Sequence, residues 1–305
     1  MATPSTQAGS PTPSGLPAAL GAYILWGFLP LYFMLVSAIP PFELIGWRVI
    51  WTLPFCLLIV ALRKQFPAVK AALANKRTLA MLCLSAFLIG ANWLVYIYAI
   101  TSNQVYATSI GYYLNPLLNV LLGTMLLGEK LSKWQWLAVA IAALAVGLLA
   151  LGSLTSLWIS LTLALSFGFY GIVRKQVDVG SLPGLTIETG ILLVPACAFA
   201  AWYALSPAGS TFGSNAYVTA LLMVAGIVTA VPLLLFAIAA RRMPYSTLGF
   251  IQYLAPTIVF LLGLSVFGEE LKLAQLGSFI LIWIAVGIFV VDLWRRNRAA
   301  KAAKV

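Results

Sequence analysis

No charged residue occurs from Thr78 to Gly128, nor from Trp134 to Val173. A membrane-spanning helix needs about 20 predominantly apolar residues, so each run is long enough for two. Such stretches cannot cover a water-soluble core. Over the whole chain 62% of residues are hydrophobic and 8% charged, where soluble domains carry about 25% charge. The chain is therefore read as an all-α polytopic membrane protein.

Charge-free windows and polar breaks divide it into ten spans. The first runs from Leu16 to about Ser37 and the second from about Glu43 to Leu62. Residues 78–128 break at Thr101-Ser-Asn-Gln104 into spans 3 and 4, and 134–173 break near Gly152-Ser153 into spans 5 and 6. Span 7 starts near Leu182, and Ser206–Asn215 separates it from span 8, which ends before Arg241. Residues 243–268 and 273–291 make spans 9 and 10. The first fifteen residues are small and polar or Pro and Gly, which predicts a disordered tail. They lack the positive segment of a signal peptide, so the first apolar run is expected to be retained.

Lys and Arg collect on the cytoplasmic side of membrane proteins. With a cytoplasmic N-terminus, the loops after spans 2, 4, 6 and 8 and the C-terminal tail hold 16 of the 18 positive residues. Lys272 falls outside and Arg48 within span 2. Both termini are thus expected in the cytoplasm, with the protein multi-pass in the inner membrane. The net charge of +11 lies in short clusters between apolar runs, which favours membrane orientation over nucleic-acid binding.

A repeat refines this. Tyr113-Leu-Asn-Pro116, eleven residues and Gly128-Glu129 are matched by Tyr253-Leu-Ala-Pro256, eleven residues and Gly268-Glu269. Weaker matches pair Trp26-Gly27-Phe28 with Phe167-Gly168-Phe169, and Pro54 with Pro195. The two Gly-Glu pairs close spans 4 and 9, so each half has five spans. An odd number inverts the second half, which is the recurring build of secondary transporters with a site at the repeat interface. The expected division is a tail 1–15, a first repeat 16–151, an inverted second repeat 152–294 and a basic cytoplasmic tail 295–305.

Several chemistries drop out. The chain has no histidine, which removes His-based acid–base catalysis, Ser-His-Asp triads and zinc-His sites. Cys56, Cys83 and Cys197 form no CxxC and read as packing residues. Gly123-x4-Gly128-Glu129-Lys130 lacks the Gly-Lys-Ser/Thr of a phosphate loop. No metal and no cofactor is expected.

The candidate residues are polar or helix-breaking groups inside spans. Pro116 and Pro256 occupy equivalent positions, and proline removes a backbone donor and bends a helix. Gly111, Asn115, Asn119 and Gly123 lie four apart on one face of span 4, where amides in hydrocarbon need a partner or water. They read either as interhelical hydrogen-bonding groups or as a cavity wall. The matching face of span 9 is apolar, and Gln252 and Tyr253 supply polar groups at another angle. Asn92, Trp93 and Tyr96 in span 3 suit an amphipathic organic solute, or else packing. Arg48 and Glu188 are the most intramembrane charges, an anchor or gate and a candidate proton carrier respectively, unless both rest at the interface.

Segments Tyr23–Phe28, Arg48–Trp51, Gly90–Leu94, Gly111–Pro116, Phe169–Lys175, Ile187-Glu188 and Ser246–Phe250, with the paired Pro-x11-Gly-Glu, resemble the EamA-type fold of the drug/metabolite transporter superfamily, closest to its RarD branch. The resemblance covers residues 16–294. It implies a ten-helix carrier that exports small organic metabolites or drugs, with spans 3, 4, 8 and 9 around a central cavity. The expected partners are a small-molecule substrate and membrane lipid, not nucleic acid; the sequence does not speak to oligomeric state. The expected function is secondary transport by alternating access, with proton coupling at Glu188 if it is coupled. The alternative is a membrane-embedded receptor or enzyme without transport, which the lack of clustered Asp, His or Ser disfavours.

Overall fold

Proline, glycine and polar caps divide the apolar chain into helices. The computed structural model describes residues 15–302 apart from 208, 269, 271 and 272. Glu269, Lys272, Lys304 and positions 1–14 of the expected tail lie outside the described residues. The helices are α1 (Leu16–Leu35), α2 (Pro41–Leu62), α3 (Phe66–Ala74), α4 (Lys76–Thr101), α5 (Val105–Leu127) and α6 (Lys133–Ala150). After a 3₁₀ turn at Leu151–Ser156 come α7 (Leu157–Gln176), α8 (Ser181–Leu205), α9 (Ala216–Arg242), α10 (Tyr245–Gln252), α11 (Leu254–Ser265) and α12 (Leu273–Ala302). Ten segments are long and apolar enough to cross a membrane, with Tyr245–Ser265 counted as one. No strand occurs among the described residues.

The caps explain the boundaries. Asn75 and Asn215 accept from the backbone of Thr78 and Val218, satisfying donors at the starts of α4 and α9. Ser132 and Gln135 form a capping box on α6. Gly128 ends α5 at φ +65°, and Gly268 takes the same φ after α11, a conformation in which a Cβ is strained. The two glycines of the repeated Gly-Glu thus share one left-handed φ.

One expectation needs correction. The segment after span 2 is not plain loop: Phe66-Pro67 starts the short helix α3, whose Ala72 packs with Leu82, Val177 and Ile187. The basic stretch from Arg295 to Ala302 continues α12 as helix, since it contains no Gly or Pro to stop it.

Packing follows the internal repeat. Helix α5 packs on α7 as α11 packs on α1, and α4 packs on α7 as α9 packs on α1. The pairs α2–α8, α5–α10 and α6–α12 join matching helices of the two sequence halves. Small residues permit the close approaches. A Cβ at Gly27 in α1 would lie 2.7 Å from Ile258, and one at Gly168 in α7 would lie 2.9 Å from Leu122 and 4.0 Å from Leu118. Ile258 and Leu118 are themselves repeat equivalents. Between α10 and α5, a Cβ at Gly249 would lie 2.8 Å from the Pro116 carbonyl oxygen. Backbone cannot yield as a side-chain tip can, so Gly249→Ala is expected to destabilise by about 1–3 kcal/mol. Melting of the purified protein in detergent checks this; an unchanged transition would mean that α10 shifts freely on α5.

Candidate functional site

The two ends of the helix bundle differ in chemistry. At the end where α1 and α11 finish and α5 begins lies a cavity of about 450 Å³, lined among others by Phe33, Tyr96, Tyr113, Phe260, Gly263 and Phe279. Its walls are largely aromatic because α1, α4, α5, α11 and α12 each turn one ring or more toward it. We call it the vestibule.

Arg48, on α2, is not part of the vestibule lining but lies against one of its residues. Its guanidinium lies 5.7 Å from the ring centre of Phe33, a vestibule residue, and 5.4 Å from that of Trp93. Nε donates to Thr229 Oγ1 on α9 at 2.9 Å. The phenols of Tyr32, Tyr96 and Tyr112 lie within its electrostatic range. Trp93 and Thr229 also line a second cavity of about 10 Å³, together with Thr52, Tyr170, Glu188 and Thr189. That volume suits about one water molecule. Arg48 thus lines neither cavity but touches Phe33 of the larger one and Trp93 and Thr229 of the smaller, mostly apolar one.

Glu188 forms the far side of that pocket. Its Oε1 pairs with Arg174 Nη1 at 3.3 Å, the two side chains being 2% and 0% exposed, and it accepts a hydrogen bond from Ser85. Arg174 also donates to the Ser181 carbonyl at 2.8 Å. Tyr170 borders the carboxylate, though neither its hydroxyl nor Glu188 Oε2 completes a hydrogen bond of regular geometry. Among the described residues this is the one salt bridge. Arg174, which the positive-residue pattern places in a loop, is instead a wholly buried member of α7. The buried Glu188 carboxylate supplies the physical reason, since a charge removed from water needs a partner.

The end opposite the vestibule is bonded shut. Glu129, just past α5, accepts from the backbone of Tyr245 at 2.5 Å and of Ser246 at 2.8 Å, and from Ser246 Oγ at 2.6 Å. A carboxylate there answers the free amides and positive dipole of the α10 N-terminus. Lys175, at the end of α7, donates to the carbonyls of Ala240 and Met243 at the end of α9. Arg241, at the end of α9, returns bonds to Val177 and Val179 just after α7.

The other candidates fall into place around this axis. Trp93 and Tyr96 border the small pocket and the vestibule respectively. Asn92 bonds Leu163 O at 2.8 Å and Ser166 Oγ at 2.9 Å, joining α4 to α7. Asn119 Nδ2 donates to Gln252 Oε1 at 2.8 Å, which also receives Tyr23 Oη at 3.4 Å. These amides tie α5, α10 and α1 together and line neither cavity. Asn115 and Tyr253 are buried with Oδ1 and Oη unpartnered. Helix α5 runs on through Pro116, whereas span 9 divides at Tyr253, three residues before Pro256. Sequence reasoning missed Ser85, Tyr170, Tyr23 and the role of Arg174. An acid inside a span, needing a cation, was the available signal for Arg174. Cys56 is buried, while Cys83 and Cys197 are exposed on their helices.

Residues 13–151 match the model of the EamA-like transporter family. A Pseudomonas aeruginosa protein named as an uncharacterized transporter is 42% identical, with 93% of this chain and 95% of that one covered. Protein RarD of Salmonella typhimurium is 42% identical over 92% and 96% of the two chains. Protein RarD of Escherichia coli K12 is 40% identical over 95% and 98%. A crystal structure 18% identical in sequence superposes with a TM-score of 0.72 over 91% of this chain and 97% of that one, a likeness of fold. The chain belongs to the EamA-like transporters, as a RarD-type member.

Proposed function

We propose that this membrane transporter is a secondary carrier that exports small organic solutes across the inner membrane by alternating access. The observation that carries the reading is the asymmetry of the two ends: a vestibule of about 450 Å³ at one and the Glu129, Lys175 and Arg241 bonds at the other. A carrier caught with one gate open and the other shut has this form.

Inversion of two halves, 16–151 and 152–294, is supported by the matched helix pairs, by the Gly27–Ile258 and Gly168–Leu118 contacts, and by the equal φ of Gly128 and Gly268. The positive residues clustered at the bonded end favour cytoplasmic termini, so the vestibule faces outward. Export as the direction rests on family resemblance. Helices α2, α4, α8 and α9 bring Arg48, Trp93, Glu188 and Thr229 around the small pocket, where a solute passing inward or outward would meet them.

Counterflow in proteoliposomes over amino acids, amines and aromatic drugs tests the reading. Movement of at least one solute against a preloaded pool is expected; no movement with or without a proton gradient would sink it. Glu188 is the coupling candidate. Glu188→Gln, combined with Arg174→Met so that no unpaired buried cation remains, is expected to abolish acceleration by a proton gradient while leaving counterflow, and retention of that acceleration would remove Glu188 from the role.

A further inference from the structure

We propose that the solute is an organic anion: a carboxylate, or a comparable oxyanion, on an aromatic or apolar body, held by Arg48 beside Phe33 at the vestibule wall. The proposal deepens the transporter reading and rests on it.

Arg48 is a cation without a counter-ion among the described residues. Among the described residues its side-chain hydrogen bond uses Nε alone, and neither Nη nitrogen is sealed away without a partner. Among the described acids all but Glu270 have partners elsewhere. Glu43 accepts from Trp47, Ser210 and Thr211, and Glu129 from Tyr245 and Ser246. Glu188 serves Arg174 and Ser85, and Asp292 accepts from Ser132. Asp178 acts on Arg241, and Glu270 follows the last turn of α11.

What surrounds the guanidinium instead is rings and phenols. Cation–π contact offsets only part of the cost of taking a charge from water. The remainder favours a mobile anion. The planar fork of arginine fits a carboxylate with two parallel bonds. The aromatic vestibule supplies walls for the rest of the molecule, and its volume falls within the range of about 300–1,000 Å³ usual for ligand sites. The described vestibule lining holds no acid that would offset Arg48 for a cationic solute. The Nε bond to Thr229 then gives the anion a route to α9: drawing the fork toward the vestibule pulls on a bond between the two halves.

The test uses one body with three charges. Purified full-length protein in detergent is titrated with phenylacetate, phenylacetamide and phenethylamine, and binding is followed by thermal shift. A charge-assisted pair predicts that phenylacetate binds about tenfold tighter than the amide or more, with the amine weakest. Arg48→Gln should erase the preference, and Arg48→Lys should keep part of it, having charge without the fork. The unliganded melting temperature of each variant reports folding, with Arg48→Lys as the conservative control. Equal binding of all three, preference for the amine, no response to phenylacetate, or a preference that survives Arg48→Gln overturns the proposal. Because binding in detergent needs no transport, anion binding without counterflow would sink the carrier reading alone. Counterflow of neutral or cationic solutes without anion binding would sink only the assignment to Arg48.

Discussion

Replacing Arg174 by Met, with Glu188 left in place, is expected to cost about 3–5 kcal/mol of stability. The cost does not measure the ion pair. It arises because the Glu188 carboxylate, buried beside Ser85 and Tyr170, loses its charged partner at 3.3 Å. The double variant Arg174→Met/Glu188→Gln should recover most of the loss, since a neutral amide in an apolar setting needs only hydrogen bonds, and Ser85 remains to donate or accept one. Melting temperature and detergent-extracted yield read both steps. If the single variant melts as the wild type does, the pair is hydrated and the buried geometry is wrong. A double variant that is stable but has lost counterflow would give the pair a role in transport beyond folding.

Glu129→Ala should shift the protein toward opening at the bonded end. It strands the amides of Tyr245 and Ser246 and the Ser246 hydroxyl at the start of α10. Loss of a partner for such donors costs about 1–3 kcal/mol, which moves a two-state balance by about 5- to 150-fold. The natural thiol of Cys56, 1% exposed and close to Glu188, reports the change once Cys83 and Cys197 are replaced by serine. Maleimide labelling of Cys56 should speed up in Glu129→Ala. In the same background, labelling of a Ser109→Cys variant in the vestibule should slow. Parallel acceleration at both positions would mean general loosening and not a shift between gates.

The helices were legible because hydrocarbon enforces them. Where charges are absent for fifty residues, little but spanning helices can result, and polar breaks such as Thr101–Gln104 mark the turns. The candidate site was harder to read. Arg48 and Glu188 stood out as charges within spans, and both border the small pocket or its approach. Asn119 and Gln252 were equally conspicuous as polar residues, yet they bond to one another and so need no solute. Polarity in a span says that a partner exists, not whether the partner is protein or cargo. Arg174 illustrates the converse: at the edge of an apolar run a buried cation and a loop cation look alike, and only the neighbouring helix α8, carrying Glu188, tells them apart.

The exchange between Lys175 and Arg241 has a kinetic side. Each cation holds carbonyls at the end of the helix from which the other comes, so both sets of bonds tie the same two helix ends. In the proposed carrier these bonds and the Glu129 contacts break before the end of the bundle parts, a step expected to have a large enthalpy of activation and to give turnover a steep Arrhenius slope. Substituting either cation should flatten that slope, and substituting the second should then flatten it little further.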